Sequence, residues 1–282
     1  MNIAEAVPYP HPPNPFSLTH YFPPSNTHPK PSHAVLDILL FCAAATLIAT
    51  QFKCGTAPPS PEQALIDLNL SILEQEAASP ATAGSSPHHP HPHGFNINVH
   101  WHVIALNNTQ AGGTVSAAHL DAQLVALNEA YAPHSISFTQ ASSQTLVQPH
   151  WARHKGKGEL PVPVIGYALV PLELADRSRP VNKEDGVVTF SKVIFGEKDY
   201  HQVWTALTHE VGHWLGCDMV DDTPAHTSTG GNCEVQNSCP NLPGLDPVSN
   251  YMSYAPDKCK TKFTFGQEGR MHTIWHLYRA KK

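Results

Sequence analysis

The stretch from Thr208 to Gly216, THEVGHWLG in one-letter code, constrains this chain more than any other feature. His209 and His213 are four residues apart, so a helix places both imidazoles on one face, one turn from each other. Two imidazoles in this arrangement can bind one zinc ion, and Glu210 between them can act as general base on a water that the metal activates. The simpler alternative is a pair of ordinary helix histidines, packed or exposed, because the chain contains 20 His.

The residues that follow favour the zinc site. Gly216 comes three residues after His213 and can end the helix. The segment from Asn250 to Tyr254, NYMSY, is typical of a methionine turn (Met-turn), and this spacing resembles the metzincin pattern. That pattern also requires a third histidine three residues after the glycine. Position 219 is Met219, so the stretch supplies two zinc ligands and leaves the third unassigned.

Length and charge limit the function classes. A chain of 282 residues can hold one sizeable domain or two small ones. Its net charge of −6, with His neutral, lacks the basic surface that a nucleic-acid-binding protein needs. We therefore expect no nucleic-acid partner.

Cysteine usage indicates the compartment. Of the six cysteines, Cys217, Cys233, Cys239 and Cys259 cluster behind the predicted helix. A second zinc site of Cys and His is one interpretation, but the chain contains no Cys-x-x-Cys pair. Two disulfides in a secreted enzyme fit this cluster better. Glycosylation sequons at Asn69 and Asn107 are compatible with secretion.

The first third of the chain divides into three segments. Residues 1–33 are rich in Pro and poor in aliphatic residues, which predicts a disordered leader. Residues 34–50 contain a short apolar run, which predicts a signal-like segment or an uncleaved anchor. A signal peptide should begin close to Met1, so either the true start lies further downstream or the run is an anchor. We favour a downstream start.

Residues 51–94 predict a pro-segment followed by a linker. Leu65, Leu68, Ile72 and Leu73 recur at helical spacing, which indicates a helix. The linker from Pro80 to Gly94 contains several His between Pro residues. Such a run can bind metal loosely, but a solvated Pro-rich linker is the favoured interpretation.

Residues 95–282 predict one catalytic domain. Apolar residues alternate from Ile97 to Val103 as in a half-buried strand, and Ser116 caps a helix that Pro133 ends. The remaining expected elements are strands at 136–138, 162–165 and 187–190, the zinc helix at about 201–216, and a closing helix at 267–278. This order predicts an α+β fold, with an α/β upper half and an irregular lower half around the active-site helix.

The motifs together resemble the pappalysin family of metzincin zinc metalloproteases, in particular its secreted fungal members. The resemblance covers roughly residues 52–280. It rests on segments that include HEVGHWLG at 209–216, DMVDDTP at 218–224, NSCP at 237–240, PGLDP at 243–247, NYMSY at 250–254 and GQEGRM at 266–271. The family continues past Leu215-Gly216 with a segment that carries the third zinc histidine. Here Gly216 passes through Cys217 directly into Asp218, so the segment itself is missing, through either misjoined exons or a true deletion.

The resemblance implies roles for individual residues. It makes His209 and His213 zinc ligands and Glu210 the general base. Met252 becomes the methionine of the Met-turn beneath the metal, and Tyr254 a residue that stabilises the tetrahedral intermediate. For Met252 and Tyr254 the alternative is ordinary core packing.

The resemblance also extends to disulfides, latency and calcium. Family-like disulfides would join Cys217 to Cys239 and Cys233 to Cys259, although spacing alone permits three pairings. Cys54 would be a latency thiol that blocks the open metal position. Asp218 and Thr223 match positions that help bind calcium in some relatives, although exposed loop residues are the favoured interpretation.

The function that follows is a secreted, extracellular zinc endopeptidase that acts on peptide or protein substrates, without stable membrane association once the signal is removed. Two alternatives remain. One is a non-catalytic relative that cannot hold zinc. The other is a membrane-anchored interaction protein built on residues 34–50. As written, the chain is expected to bind zinc weakly, because it offers two of the three histidines.

Overall fold

The computed structural model describes residues 35–41, 53–54, 61–78, 94–152, 164–168, 185–191, 194, 205–227 and 232–280. The predicted leader 1–33 and most of the linker lie outside these residues. The strands are β1 (Val35–Phe41), β2 (Lys53–Cys54), β3 (Phe95–Ala105), β4 (Ile136–Val147), β5 (Val164–Ala168) and β6 (Gly186–Phe190). The α-helices are α1 (Pro61–Ala78), α2 (Ala117–Tyr131), α3 (Pro149–Ala152), α4 (Ala206–Trp214) and α5 (Phe265–Ile274).

The strands form one six-stranded sheet in the order β2-β5-β6-β1-β3-β4. Four of the strand pairs are parallel, and only β5 and β6 run antiparallel. Helices α2, α4 and α5 cover one face, where their apolar side chains form the main core with alternating residues of the strands. Loop-rich chain follows α4 up to α5. The predicted α+β class is confirmed, and the sheet lies behind the helix that carries the histidines.

Strand β1 occupies the centre of the sheet, between β3 and β6. Leu36, Ile38 and Leu40 are fully buried on the helix-covered face, and Leu39 is buried on the other. This strand falls inside the segment 34–50 for which the sequence predicts a signal or an anchor. A short apolar run is compatible with a strand buried on both faces, and periodicity cannot separate the two interpretations. The role of the segment in secretion stays a prediction.

The predicted helix before the linker is present as α1, but its buried face differs from the expected one. Leu65, Leu68 and Ile72, which gave the helical spacing, are exposed by 45–59%. The face turned toward the protein instead carries Asp67 and Ser71, both buried. Asp67 and Ser71 are buried because they accept hydrogen bonds from Arg270, a buried cation on helix α5.

Most expected elements of the catalytic part agree with the structure. Ser116 caps α2, because its Oγ accepts a hydrogen bond from the backbone N–H of His119 at 3.3 Å. The strand expected at 136–138 extends to Val147. The closing helix begins earlier than expected, at Phe265, and its last turn from Trp275 to Arg279 is a π-helix. Within the part of the chain that is described, no helix has the length and apolar character needed to span a bilayer.

Candidate metal centre

Helix α4 is buried along its whole length, from Ala206 to Trp214. It begins after Thr205, whose backbone N–H and hydroxyl both donate to the Asp257 carboxylate, at 3.1 and 2.6 Å. A carboxylate at this end stabilises the helix through the macrodipole. The helix ends as the sequence predicts, because Gly216 follows with a left-handed φ of 83° that a residue with a Cβ rarely adopts.

The two motif histidines face each other. His209 Nε2 and His213 Nε2 are 3.0 Å apart. The opposite nitrogens are anchored: His209 Nδ1 donates to the backbone carbonyl of Tyr251 at 3.0 Å, and His213 Nδ1 donates to Asp218 Oδ2 at 2.7 Å. Both acceptors can only accept, so each Nδ1 carries the proton. The two Nε2 atoms therefore face the same point.

The separation of the two Nε2 atoms fits two ligands of one zinc ion. Zinc–nitrogen bonds of about 2.0–2.1 Å at a tetrahedral angle separate two ligand nitrogens by about 3.3 Å, close to the separation observed. A ring that donates its second N–H to a carboxylate or a carbonyl is also the usual outer support of a zinc-binding histidine. Burial lowers the pKa of His209 well below its usual value, and the nearby His213 and Lys260 lower it further. His209 is therefore neutral at pH 7, the form that binds metal.

The third ligand is not formed in the part of the chain that the structure describes. No group of three or more His, Cys, Asp or Glu side chains there is arranged to hold a metal ion. Met219, at the sequence position where the metzincin pattern requires histidine, has a left-handed φ of 51° and a side chain that is half exposed. Among the described residues the centre thus consists of two imidazoles on α4.

The Glu210 side chain lies against strand β5. Glu210 is completely buried, and a Cβ added to Gly166 of β5 would come within 2.8 Å of Glu210 Cγ. Glycine at position 166 therefore makes room for the carboxylate. The Lys260 ammonium, 3.3 Å from Asp257 Oδ1, also interacts electrostatically with Glu210. Burial lowers the pKa of Lys260, while the charges of Asp257 and Glu210 oppose that shift.

The segment from Asn250 to Tyr254 lies beneath helix α4. Met252 is buried, and a Cβ added to Gly212 would collide with its Sδ. The Asn250 side chain accepts from the Met252 backbone N–H at 2.9 Å and donates to Gln267 Oε1 at 2.7 Å, which fixes the turn against α5. Met252 therefore packs against helix α4 at Gly212, next to His213, and its role as the methionine of the Met-turn stays a prediction.

Tyr254 lies at the edge of the centre. Its ring centroid is 5.6 Å from that of His209 and 6.4 Å from that of His226, and the residue is 39% exposed. His226 lies in the loop after α4, two residues beyond Pro224. Its Nε2 is buried without a hydrogen-bond partner among the residues that the structure describes.

The cysteines agree only in part with the pairing that the resemblance implies. Cys233 and Cys259 form a disulfide. Cys217 and Cys239 are free cysteines, so the second expected bond is not formed. Cys217 is buried in the main core directly after α4, where a thiol packs like a small apolar residue. The side chain of Cys54 lies outside the described residues, but its backbone pairs with Gly166, beside Glu210.

Sequence reasoning missed three supporting residues. Asp218, considered as a calcium ligand, instead accepts from His213. Behind α4, Asp185 accepts from Trp214 Nε1 at 2.7 Å and from Arg279 Nη2 at 3.0 Å. The Arg279 guanidinium also lies 3.9 Å from the centre of the Trp214 ring. The partners of Arg279 are far away in sequence, so no local pattern indicates them.

Curated proteins resemble most of the chain. An extracellular metalloprotease of Colletotrichum graminicola is 36% identical over 270 residues, which span 84% of this chain and 95% of the relative. An extracellular metalloprotease of Pyricularia oryzae is 30% identical over 287 residues, which span 88% of this chain and 99% of the relative. No family model matches the chain.

A solved structure supports the fold. Mirolysin in complex with compound 9 superposes with a TM-score of 0.50 at 22% identity, covering 65% of this chain and 92% of that one. The metalloprotease fold is thus shared. The extent and identity of the fungal matches show that the chain belongs to the extracellular metalloproteases of fungi and is, by family, a metalloendopeptidase.

Proposed function

We propose that this protein is a secreted, zinc-dependent endopeptidase of the pappalysin type. The observation that carries the proposal is the pair of Nε2 atoms 3.0 Å apart, with both Nδ1 atoms anchored. Held in this way, both Nε2 atoms face one point, the arrangement in which two imidazoles bind a single zinc ion. Relatives that are named extracellular metalloproteases support both the chemistry and the location. The substrates would be peptides or proteins.

His209 and His213 would hold the zinc ion, and Glu210 would move the proton. When bound, zinc polarises the carbonyl of the scissile bond and lowers the pKa of water at the site. The Glu210 carboxylate takes a proton from the attacking water and passes it to the leaving nitrogen. The positive charge of Lys260 interacts with Glu210 and favours its ionised form, which a base requires.

Tyr254 would act on the substrate. Its ring lies beside His209, and its partial exposure leaves it accessible to a bound peptide. A tyrosine hydroxyl at this place can donate a hydrogen bond to the oxygen that becomes negative during attack. Calcium, which the resemblance suggests for some relatives, has no support from Asp218, because that carboxylate is bonded to His213.

Cys54 would keep the precursor inactive. Strand β2 pairs along β5, and the backbone partner of Cys54 is Gly166, which adjoins Glu210. A thiolate can occupy the open position of a zinc site. Mass analysis of the mature protein tests this role, and Cys54 found in a disulfide would end it.

The second candidate function is a non-catalytic relative. The observation in its favour is the absence, among the described residues, of any three side chains arranged to hold a metal. A catalytic zinc site normally requires three protein ligands. We therefore expect the 282-residue chain to hydrolyse peptide bonds slowly, and we expect insertion of the family's third-histidine segment after Gly216 to raise the rate.

Cleavage of casein in the presence of added zinc separates the two functions. For the protease, Glu210→Gln should lower the rate by roughly 10²–10⁴-fold, the usual contribution of a general base. The exposed carboxylate Asp121 offers a matched control, and Asp121→Asn should leave the rate unchanged. Equal rates for the parent chain and Glu210→Gln would favour the non-catalytic relative.

A further inference from the structure

Helix α1, in the predicted pro-segment, contacts the catalytic part around one buried cation. Arg270 of α5 is fully buried. Its Nε donates to Glu74 Oε1 at 2.7 Å, and its Nη1 donates to Asp67 Oδ1 at 2.8 Å. Its Nη2 donates to Ser71 Oγ at 3.0 Å and to the Asp67 carbonyl at 3.4 Å. These four acceptors all belong to α1.

The catalytic part supplies Arg270 with one further acceptor, the backbone carbonyl of Asp218, at 3.4 Å from Nη1. A buried guanidinium remains charged and requires acceptors around it. Among the described residues, that carbonyl is the one acceptor of Arg270 outside α1. The surface of α5 around Arg270 is therefore built for an acidic helix and is incomplete without one.

Apolar contacts lie beside the ionic ones. Leu70 of α1 is buried against Ile274 of α5, with Ile66 and Tyr278 packed around them. Positions 66, 67, 70, 71 and 74 fall on one helical face, because they repeat at three- and four-residue intervals. This face of α1 combines aliphatic side chains with two carboxylates and a hydroxyl, which match the apolar and cationic parts of α5.

The docked helix also reaches the metal centre. Arg270 links α1 to the backbone of Asp218, and the Asp218 side chain holds His213 Nδ1. From these contacts we propose that α5 carries a docking surface for α1, centred on Arg270. Helix α1 stays bound there after the chain is cut on both sides of it, and it positions Asp218 and, through it, His213. On this proposal α1 is a lasting part of the enzyme, and a removable inhibitory segment would have to lie outside α1.

The test requires α1 as a separate fragment, because a fragment that also contained β1 could stay bound through the pairing of β1 in the sheet. Specific protease sites are introduced into the full chain, one between residues 55 and 60 and one between residues 80 and 93. Cleavage at both sites breaks the covalent connection of α1 to the rest of the chain. After both cuts, gel filtration and mass spectrometry should find the fragment with the protein at near one copy per chain. In the double variant Asp67→Asn, Glu74→Gln the retained fraction should fall by at least tenfold. Asn69→Ala, an exposed position on the same helix, is the control and should keep the fragment.

A second measurement covers the case in which the double variant fails to fold. The helix-free form is prepared from the doubly cut parent protein by gel filtration in urea, which separates α1 before the urea is removed, and a labelled synthetic α1 peptide is then added back. The imidazole NMR signal of His213, assigned with His213→Ala, should shift when α1 leaves, while that of His119 on α2 should not. Spontaneous loss of α1 from the parent protein would overturn the proposal, and so would an unchanged His213 signal after its removal.

Discussion

The two sides of helix α4 support it to different degrees. On the sheet side, the Tyr131 hydroxyl donates to the Thr208 carbonyl at 2.9 Å, Gly166 makes room for Glu210, and Trp214 packs under Arg279. On the loop side, the described residues 215–227 and 232–264 are mostly irregular and are held by short turns, side-chain hydrogen bonds and the Cys233–Cys259 disulfide. The two imidazoles come from the helix, which the core fixes. Among the described residues, the loop side adds no third ligand to them.

The largest expected effect is on the sheet side. Asp185→Asn removes the carboxylate that partners Arg279, a residue that is only 1% exposed. An uncompensated buried charge destabilises a protein by about 3–5 kcal/mol. Urea unfolding should show a loss near the lower end of that range, because Asn still offers one acceptor. Asp121→Asn, on the exposed face of α2, is the control, and equal stability of the two variants would show that the sheet side does not depend on this contact.

On the loop side, the corresponding change is Cys233→Ser. Loss of a crosslink that closes a loop of this length (sequence separation 26) costs about 3 kcal/mol. The loss should be local, so limited proteolysis should cut between residues 217 and 264 before it cuts the sheet side. Cys239→Ser should change neither measurement, because Cys239 is free. Unaltered cleavage sites in Cys233→Ser would remove the difference between the two sides.

At the junction of the two sides, Gly212→Ala should cost about 1–3 kcal/mol, the usual cost of overpacking. The added Cβ would meet Met252 Sδ, and the turn below α4 would have to move. Gly269→Ala on α5 is a matched control, because no atom lies within 4 Å of a Cβ added there. Thermal unfolding of both variants measures the difference, and equal midpoints would argue against close packing between Gly212 and Met252.

The smallest effect concerns pH. Burial lowers the folded-state pKa of His209, whereas in the unfolded chain it lies near 6.5. The unfolded state therefore binds the proton first as pH falls, and metal-free protein loses stability below about pH 6.5, by at most about 1.4 kcal/mol per pH unit for this group. Comparison of unfolding at pH 7.5 and 5.5 should show a weaker pH dependence for His209→Ala than for the parent chain. An identical dependence would mean that His209 is not neutral in the folded state.

The parts that the sequence predicted are those with local signals. The motif at 209–213 predicted α4 and its two imidazoles, Ser116 marked the start of α2, and alternating apolar residues marked β3. These features depend on residues close together in the chain, so periodicity and caps are enough to find them.

The parts that the sequence missed depend on distant partners. Arg270 is buried because Asp67 and Glu74, in the helix of the predicted pro-segment, surround it. The same contact explains why the face of α1 with Asp67 and Ser71 is buried while Leu65, Leu68 and Ile72 are exposed. Strand β1 was missed because a short apolar run suits both a signal segment and a strand buried on both faces. In each case a tertiary contact overrides the local pattern.

Zinc content tests the central claim most directly, that α4 presents two prearranged imidazoles without a third ligand. The 282-residue protein is loaded with excess zinc, passed through a gel-filtration column in metal-free buffer, and analysed for bound metal. We expect less than one zinc ion per chain to remain, and His213→Ala to reduce even that fraction to background. One zinc ion per chain, retained through the column and lost in His213→Ala, would contradict the claim and show that the chain completes the centre with a ligand from elsewhere.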